Sequence, residues 1–88
     1  MVSQRAKVII PQGMHMLPAQ MFVAEMTRYD SAVTIFFGGK AINGKNLMEL
    51  MASCLRMGSE VEVHCEGADE AGALAAAVRL LESGLSGM

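Results

Sequence analysis

The 88-residue sequence has no tryptophan, one tyrosine, three phenylalanines, two prolines, two cysteines and only seven lysines and arginines. Each shortage removes a class of function. Sequence-tolerant RNA binding on a sheet needs several exposed stacking aromatics together with basic charge, and Phe36 alone does not supply them. The basic residues are scattered and outnumbered by nine acidic ones, for a formal net charge of −2, so no cationic stripe exists to follow a nucleic-acid backbone. No apolar run approaches the roughly 18 residues of a membrane-spanning helix, and the opening segment "MVSQRAKVII" lacks the apolar stretch and cleavage site of a secretory signal. The expected compartment is therefore the cytoplasm, without membrane insertion. Cys54 and Cys65 stand in apolar patterns and are expected to be buried small hydrophobes rather than a disulfide pair. Neither lies beside a helix N-terminus or a cation that would lower its pKa and make it a nucleophile. Together with His15 and His64 they show none of the short Cys–Cys or His–His spacings of a zinc site, so neither a metal nor a cofactor is expected.

What the chain does have is apolar material: 52% of residues, supplied by Ala, Val, Leu and nine Met rather than by aromatics. That fraction argues against disorder and suits one domain over 1–88 in which helices cover a small sheet. In 4–10, Ala6, Val8 and Ile10 alternate with Lys7 as in a half-buried strand, which Pro11 and Gly13 end. From Met16 onward, Ala19, Phe22, Val23 and Met26 recur at helical spacing, with Pro18 tolerated in the first turn. Val33, Ile35 and Phe37 alternate again, and Gly38-Gly39 predicts a tight hairpin to a short returning strand. Asn46 followed by Glu49 predicts a capped helix over 47–55 with Leu47, Leu50, Met51 and Cys54 on one face, stopped by Gly58. Val61, Val63 and Cys65 mark the last strand. The final helix opens with Asp69 and Glu70 complementing its dipole, buries Leu74, Val78 and Leu81, and is capped by Gly84 and Leu85. The order βαββαβα describes an α+β two-layer sandwich.

Within that order one side chain stands out. His15 follows a glycine turn and occupies the N-cap position of the first helix, where the N–H groups of Met16 and Leu17 have no partner inside the helix. An anion on the ring gains from those two backbone amides and from the positive end of the helix dipole. Imidazole is also a nucleophile with a large neutral fraction near neutral pH. The helix carries Met16, Leu17, Gln20, Met21 and Ala24 away from its buried stripe, and Met48 lies similarly on the second helix. Adaptable methionines outside a core suit a docking patch around His15. The competing reading places these residues in the core through a shifted helical phase, Met51 first. His64, alternating outward beside Glu62, is expected to be structural.

The stretch "GMHMLPAQ", the element order, the Gly-Gly hairpin, "GADE" and the Ala-rich closing helix together resemble the HPr family, the histidine-containing phosphocarriers of the bacterial sugar phosphotransferase system. The resemblance covers essentially the whole chain. It implies an open-faced β-sandwich, a four-stranded antiparallel sheet covered on one face by three helices. It also implies that His15 accepts a phosphoryl group from phospho-enzyme I and passes it to an enzyme II sugar permease component or a nitrogen-related counterpart, as a carrier rather than an enzyme and as a monomer. Two positions depart from the family pattern. Leu17 stands where the family normally has an arginine that pairs with the phosphoryl oxygens, and only Arg56 or Lys45, near the second helix, offers a replacement cation. Asn46 stands where many members carry a serine phosphorylated by an ATP-dependent kinase; an amide caps a helix but accepts no phosphate. An HPr-like regulatory binding module that has lost efficient phosphotransfer is the alternative function.

Overall fold

The computed structural model describes residues 1–11 and 13–83. The elements follow the expected order: β1 (Val2–Lys7), α1 (Met16–Met26), β2 (Ala32–Phe37), β3 (Lys40–Asn43), α2 (Leu47–Ala52), β4 (Glu60–Glu66) and α3 (Glu70–Ser83). The four strands form one antiparallel sheet in the spatial order β1-β4-β2-β3. Alternation decides which face is covered. Ala6, Val33, Ile35, Ile42, Val61, Val63 and Cys65 point to the helix layer and are buried, while Arg5, Lys7, Glu60, Glu62 and Phe36 lie on the open face. The helices contribute Ala19, Phe22 and Met26 from α1, Leu50 from α2, and Ala73, Ala76, Ala77, Val78 and Leu81 from α3 to the same core. Leu74 is half-buried at its edge. Small alanines on α3 bring that helix close to the sheet, which is how a chain poor in aromatics fills its interior.

Local chemistry explains most of the boundaries. Gly38 and Gly39 both take positive φ, 58° and 79°, as a two-residue hairpin turn requires, with Phe37 paired to Lys40 across it. Asn46 caps α2 by accepting the Glu49 N–H at 3.0 Å. The reciprocal half of the box is redirected, because Glu49 Oε1 instead accepts from the Asn43 N–H at 2.9 Å and so ties the helix to the end of β3. The first strand is shorter than the alternation suggested: Val8 and Ile10 stay fully buried, but Val8 bonds the Gly58–Ser59 turn and the Ile9 N–H donates to the Leu81 carbonyl at 2.8 Å. The proposed cap at Gly84 and Leu85 lies outside the described residues.

Two expectations about the second helix are corrected. It ends at Ala52, not at Gly58, and Cys54 is exposed rather than buried. The cause is backbone conformation: Cys54 adopts φ 62°, the only positive φ of a non-glycine among the described residues. That left-handed turn breaks the helical periodicity, rotates Cys54 to solvent and drops Leu55 into the core at 3% exposure. Cys65 is buried, and burial followed by the nearby Glu70 and Asp69 carboxylates pushes its thiol up.

At the start of α3, Asp69 serves a neighbour as well as its own helix. Its carbonyl receives the Ala73 N–H at 3.0 Å, while its carboxylate accepts from the backbone N–H groups of Asp30 at 2.9 Å and Ser31 at 3.0 Å and from the Ser31 hydroxyl. The Ser31 hydroxyl, then the Asp30 amide, hold this carboxyl below the usual aspartate range. Gly67 lies against the same residue, since a Cβ there would stand 2.6 Å from Ser31 Cα.

Cys54→Gly is expected to stabilise the fold by about 1 kcal/mol or less, because glycine takes the left-handed region without the Cβ clash; a raised thermal midpoint is the check. Asp69→Asn is expected to destabilise it near neutral pH. Since the folded-state pKa of Asp69 is depressed, its contribution is present above the unfolded value of roughly 4 and is lost as the pH falls through the folded one. Urea midpoints of the two proteins should therefore converge on acidification.

Candidate functional site

The site is built on the bend that joins β1 to α1. The Gly13 N–H donates to the Ile10 carbonyl at 2.9 Å, and the Met14 N–H donates to the Leu55 carbonyl at 2.9 Å. Gly13 takes φ +80°, and a Cβ there would meet Leu55 O at 2.8 Å and Arg56 Cα at 3.3 Å, so both its conformation and its closeness exclude a side chain. Met14, preceding the cap, enters the core at 3% exposure, as does Ala19 at the fourth helical position with 0%. These are the two positions of a hydrophobic staple, which fixes the angle at which the chain enters the helix. Unlike Met16 on the other side of the histidine, Met14 leaves the surface.

His15 follows as N-cap in an extended conformation, φ −105° and ψ −164°, with its carbonyl accepting the Ala19 N–H at 2.9 Å. Its ring is exposed and makes no capping bond to the helix. The next two N–H groups, of Met16 and Leu17, have no acceptor among the described residues, and Pro18 has no N–H to add. The imidazole and two unengaged amide donors thus share the positive end of an 11-residue helix.

The expected surface residues lie around this point. Met16, Leu17, Gln20, Met21 and Ala24 are all exposed on α1, with Leu17 at 55%, and the Gln20 amide reaches Met16 Sδ at 3.5 Å. Met48, 73% exposed, is the second residue of α2, which packs beside α1. Met51 is half-buried against the core. Met57, which the sequence reading passed over, is also exposed, in the turn that follows Arg56. It belongs to no periodic segment, so no pattern pointed to it. Of the two candidate cations, Lys45 is committed elsewhere: its Nζ donates to the Tyr29 carbonyl at 2.6 Å, beyond the C-terminal end of α1 and so about 16 Å from His15 along the helix axis. Arg56 is next to the Gly13 bend.

His64 lies on the open face of the sheet, half-buried, with Nε2 2.9 Å from Glu62 Oε1 and its ring edge-on to Phe36 at a centroid distance of 4.6 Å. An open depression of about 480 Å³ on that face is lined by Arg5, Lys7, Phe36, Glu60 and Glu62 and contains neither histidine of the chain. No three His, Cys, Asp or Glu side chains come together as a metal-binding group among the described residues. No helix among them is long and apolar enough to cross a membrane.

A sandwich of this topology with an exposed histidine capping its first helix has clear relatives. Residues 2–83 match the PTS-HPr family model, described as the PTS HPr component phosphorylation site. The phosphocarrier protein HPr of Lysinibacillus sphaericus is 38% identical over 87 residues, covering 98% of this chain and 99% of that one. The HPr-like protein Crh of Bacillus subtilis is 38% identical over 74 residues, covering 84% and 87%. The crystal structure of HPr-C-His from Thermoanaerobacter tengcongensis superimposes with a TM-score of 0.90 at 30% identity, covering 96% of this chain and 94% of that one. The chain belongs to the HPr family of phosphocarrier proteins.

Gly13→Ala is expected to destabilise the fold by about 1 to 3 kcal/mol, since the added methyl needs both a strained φ and a displaced Leu55 carbonyl. Urea unfolding measures it; an unchanged midpoint would mean that the bend relaxes without loss.

Proposed function

We propose that this protein carries a phosphoryl group on His15, taking it from phosphorylated enzyme I and passing it to an enzyme II component of a sugar or nitrogen-related phosphotransferase system. The observation that carries this reading is the exposed His15 ring at a helix N-terminus whose Met16 and Leu17 amides are unengaged among the described residues. In the transfer, the unprotonated ring nitrogen attacks phosphorus while the bond from phosphorus to the donor's phosphate-bearing atom breaks, the electron pair staying with the donor. The other ring nitrogen keeps its hydrogen until it passes to solvent or to the leaving group. The two amides then face the phosphoryl oxygens, and since they are already oriented they need not reorganise as charge shifts. The same steps in reverse return the group to an acceptor, with the ring restored. The carrier performs no net chemistry on a substrate, works in the cytoplasm as a single unit over 1–88, and needs no cofactor.

Docking falls to the apolar surface around the ring, formed by Met16, Leu17, Gln20 and Met21 with Met48 from α2. Unbranched methionines adapt to more than one partner, which a relay between enzyme I and an acceptor requires. Leu17 adds apolar area there, and Asn46 keeps the helix cap while offering no hydroxyl for regulatory phosphorylation. Leu17, standing where the family has a phosphate-binding arginine, also favours a second reading, a regulatory binding module that uses the same face without efficient transfer, and the likeness to the HPr-like protein Crh supports it.

Incubation with phosphoenolpyruvate and enzyme I is expected to give an acid-labile, base-stable phosphoprotein, with the label abolished in His15→Ala. Absence of label after long incubation would favour the binding module.

A further inference from the structure

A phosphoryl group on an imidazole carries about two negative charges near neutral pH, and two amides supply only partial positive charge against them. Helix α1 offers no cation in its first turns; its first basic neighbour is Arg28, past its far end and 3.4 Å from Glu25. The seven lysines and arginines of the chain are all described, so each can be placed. Arg5 and Lys7 lie on the open face of the sheet. Lys40 begins β3 at the Gly-Gly turn. Lys45 is bound to the Tyr29 carbonyl. Arg79 is exposed on α3, about 200° around the helix from buried Leu81. Arg56 alone has its backbone against the bend that carries His15.

That placement is fixed from both sides. The Met14 N–H is bonded to the Leu55 carbonyl, and Arg56 Cα and Cβ would lie 3.3 and 3.6 Å from a Cβ at Gly13. The Arg56 main chain is held in a turn in which its N–H donates to Ser59 Oγ at 3.1 Å and its carbonyl accepts from the Ser59 N–H at 3.0 Å. Its side chain is exposed and makes no hydrogen bond or ion pair among the described residues. From Gly13 to His15 the chain spans at most about 7 Å, roughly the length of an extended arginine side chain. The guanidinium is therefore the one permanent charge within reach of a group on the His15 ring, and its planar fork suits phosphoryl oxygens.

We infer that Arg56 supplies the cation that binds the phosphoryl group on His15, acting from the turn after α2 rather than from the helix that His15 caps. The inference rests on the reading of His15 as a phosphate carrier, and the test separates the two. Potassium phosphoramidate phosphorylates exposed histidine without any partner protein: its P–N bond breaks as the new P–N bond to the ring forms, and ammonia leaves, taking the proton that the ring loses. Phosphorus NMR then follows the second ionisation of the phosphoryl group, with the His15 signal assigned by its loss in His15→Ala. In wild type this ionisation is expected at lower pH than in Arg56→Gln, by several tenths of a unit or more, because a nearby cation favours the dianion. Arg56→Lys should fall between them, and Arg79→Gln should match wild type. With phosphorylated enzyme I as donor, Arg56→Gln should slow labelling about tenfold or more. Leu17→Arg should recover part of that rate, by offering a guanidinium from the helix side. Coincident titrations of wild type and Arg56→Gln would overturn the assignment. Failure of phosphoramidate to label His15 in the folded protein would overturn it together with the carrier reading. A titration difference in a protein that enzyme I does not label would leave the Arg56 site standing and remove the carrier reading.

Discussion

The hydrogen bond from the Met14 N–H to the Leu55 carbonyl is the point on which the organisation of the site depends. It joins two irregular segments 41 residues apart in sequence, the bend before α1 and the turn after α2, at the place where neither has a regular partner. Because Met14 is held there and buried, His15 has no freedom to follow it inward. The next residue must face solvent, and the helix begins with its ring outside. Gly13 permits the approach and Cys54, by turning left-handed, presents the carbonyl that receives it. The exposed histidine is thus the product of long-range backbone pairing as much as of its own position in a helix.

A second constraint holds the opposite end of the helix layer. Asp69 gathers three donors from Asp30 and Ser31, and Lys45 reaches the Tyr29 carbonyl from the β3–α2 connection. The segment after α1 is therefore tied to the starts of both other helices. With its first residue fixed by Met14 and its end fixed by these contacts, α1 is braced at both termini, and its outer face needs no core contacts to stay in place. Large apolar residues on that face are consequently available for contact with other molecules without weakening the fold.

Elements with strong period were legible from the residues alone. The alternation of Val61, Val63 and Cys65, the Phe22 and Met26 stripe, the Gly-Gly hairpin and the Asn46 cap each rest on chemistry within a few residues, and each appears in the structure. The errors fall where the deciding contact is distant or the conformation is uncommon. Cys54 was assigned to a buried helical face because nothing in a single sequence marks a cysteine that will adopt positive φ. The burial of Met14 carries no local signal, because it goes with a backbone bond to the distant Leu55. Arg56 was visible as a charge, but its position beside the Gly13 bend follows from the pairing of two loops. An exposed histidine at a helix start was legible; its surroundings were written across three separate stretches of chain.

All three helices lie on one side of the sheet, and the other side carries a mixed array in which Arg5 faces Glu62 and Lys7 faces Glu60 across the β1–β4 ladder, beside Phe36 and His64. Cross-strand charges of opposite sign stabilise such a surface locally without reference to the core beneath. Immobilising the protein on a solid support or attaching a fluorophore through that bare side would leave the imidazole and its methionine-rich rim facing away from the attachment, ready for an incoming molecule.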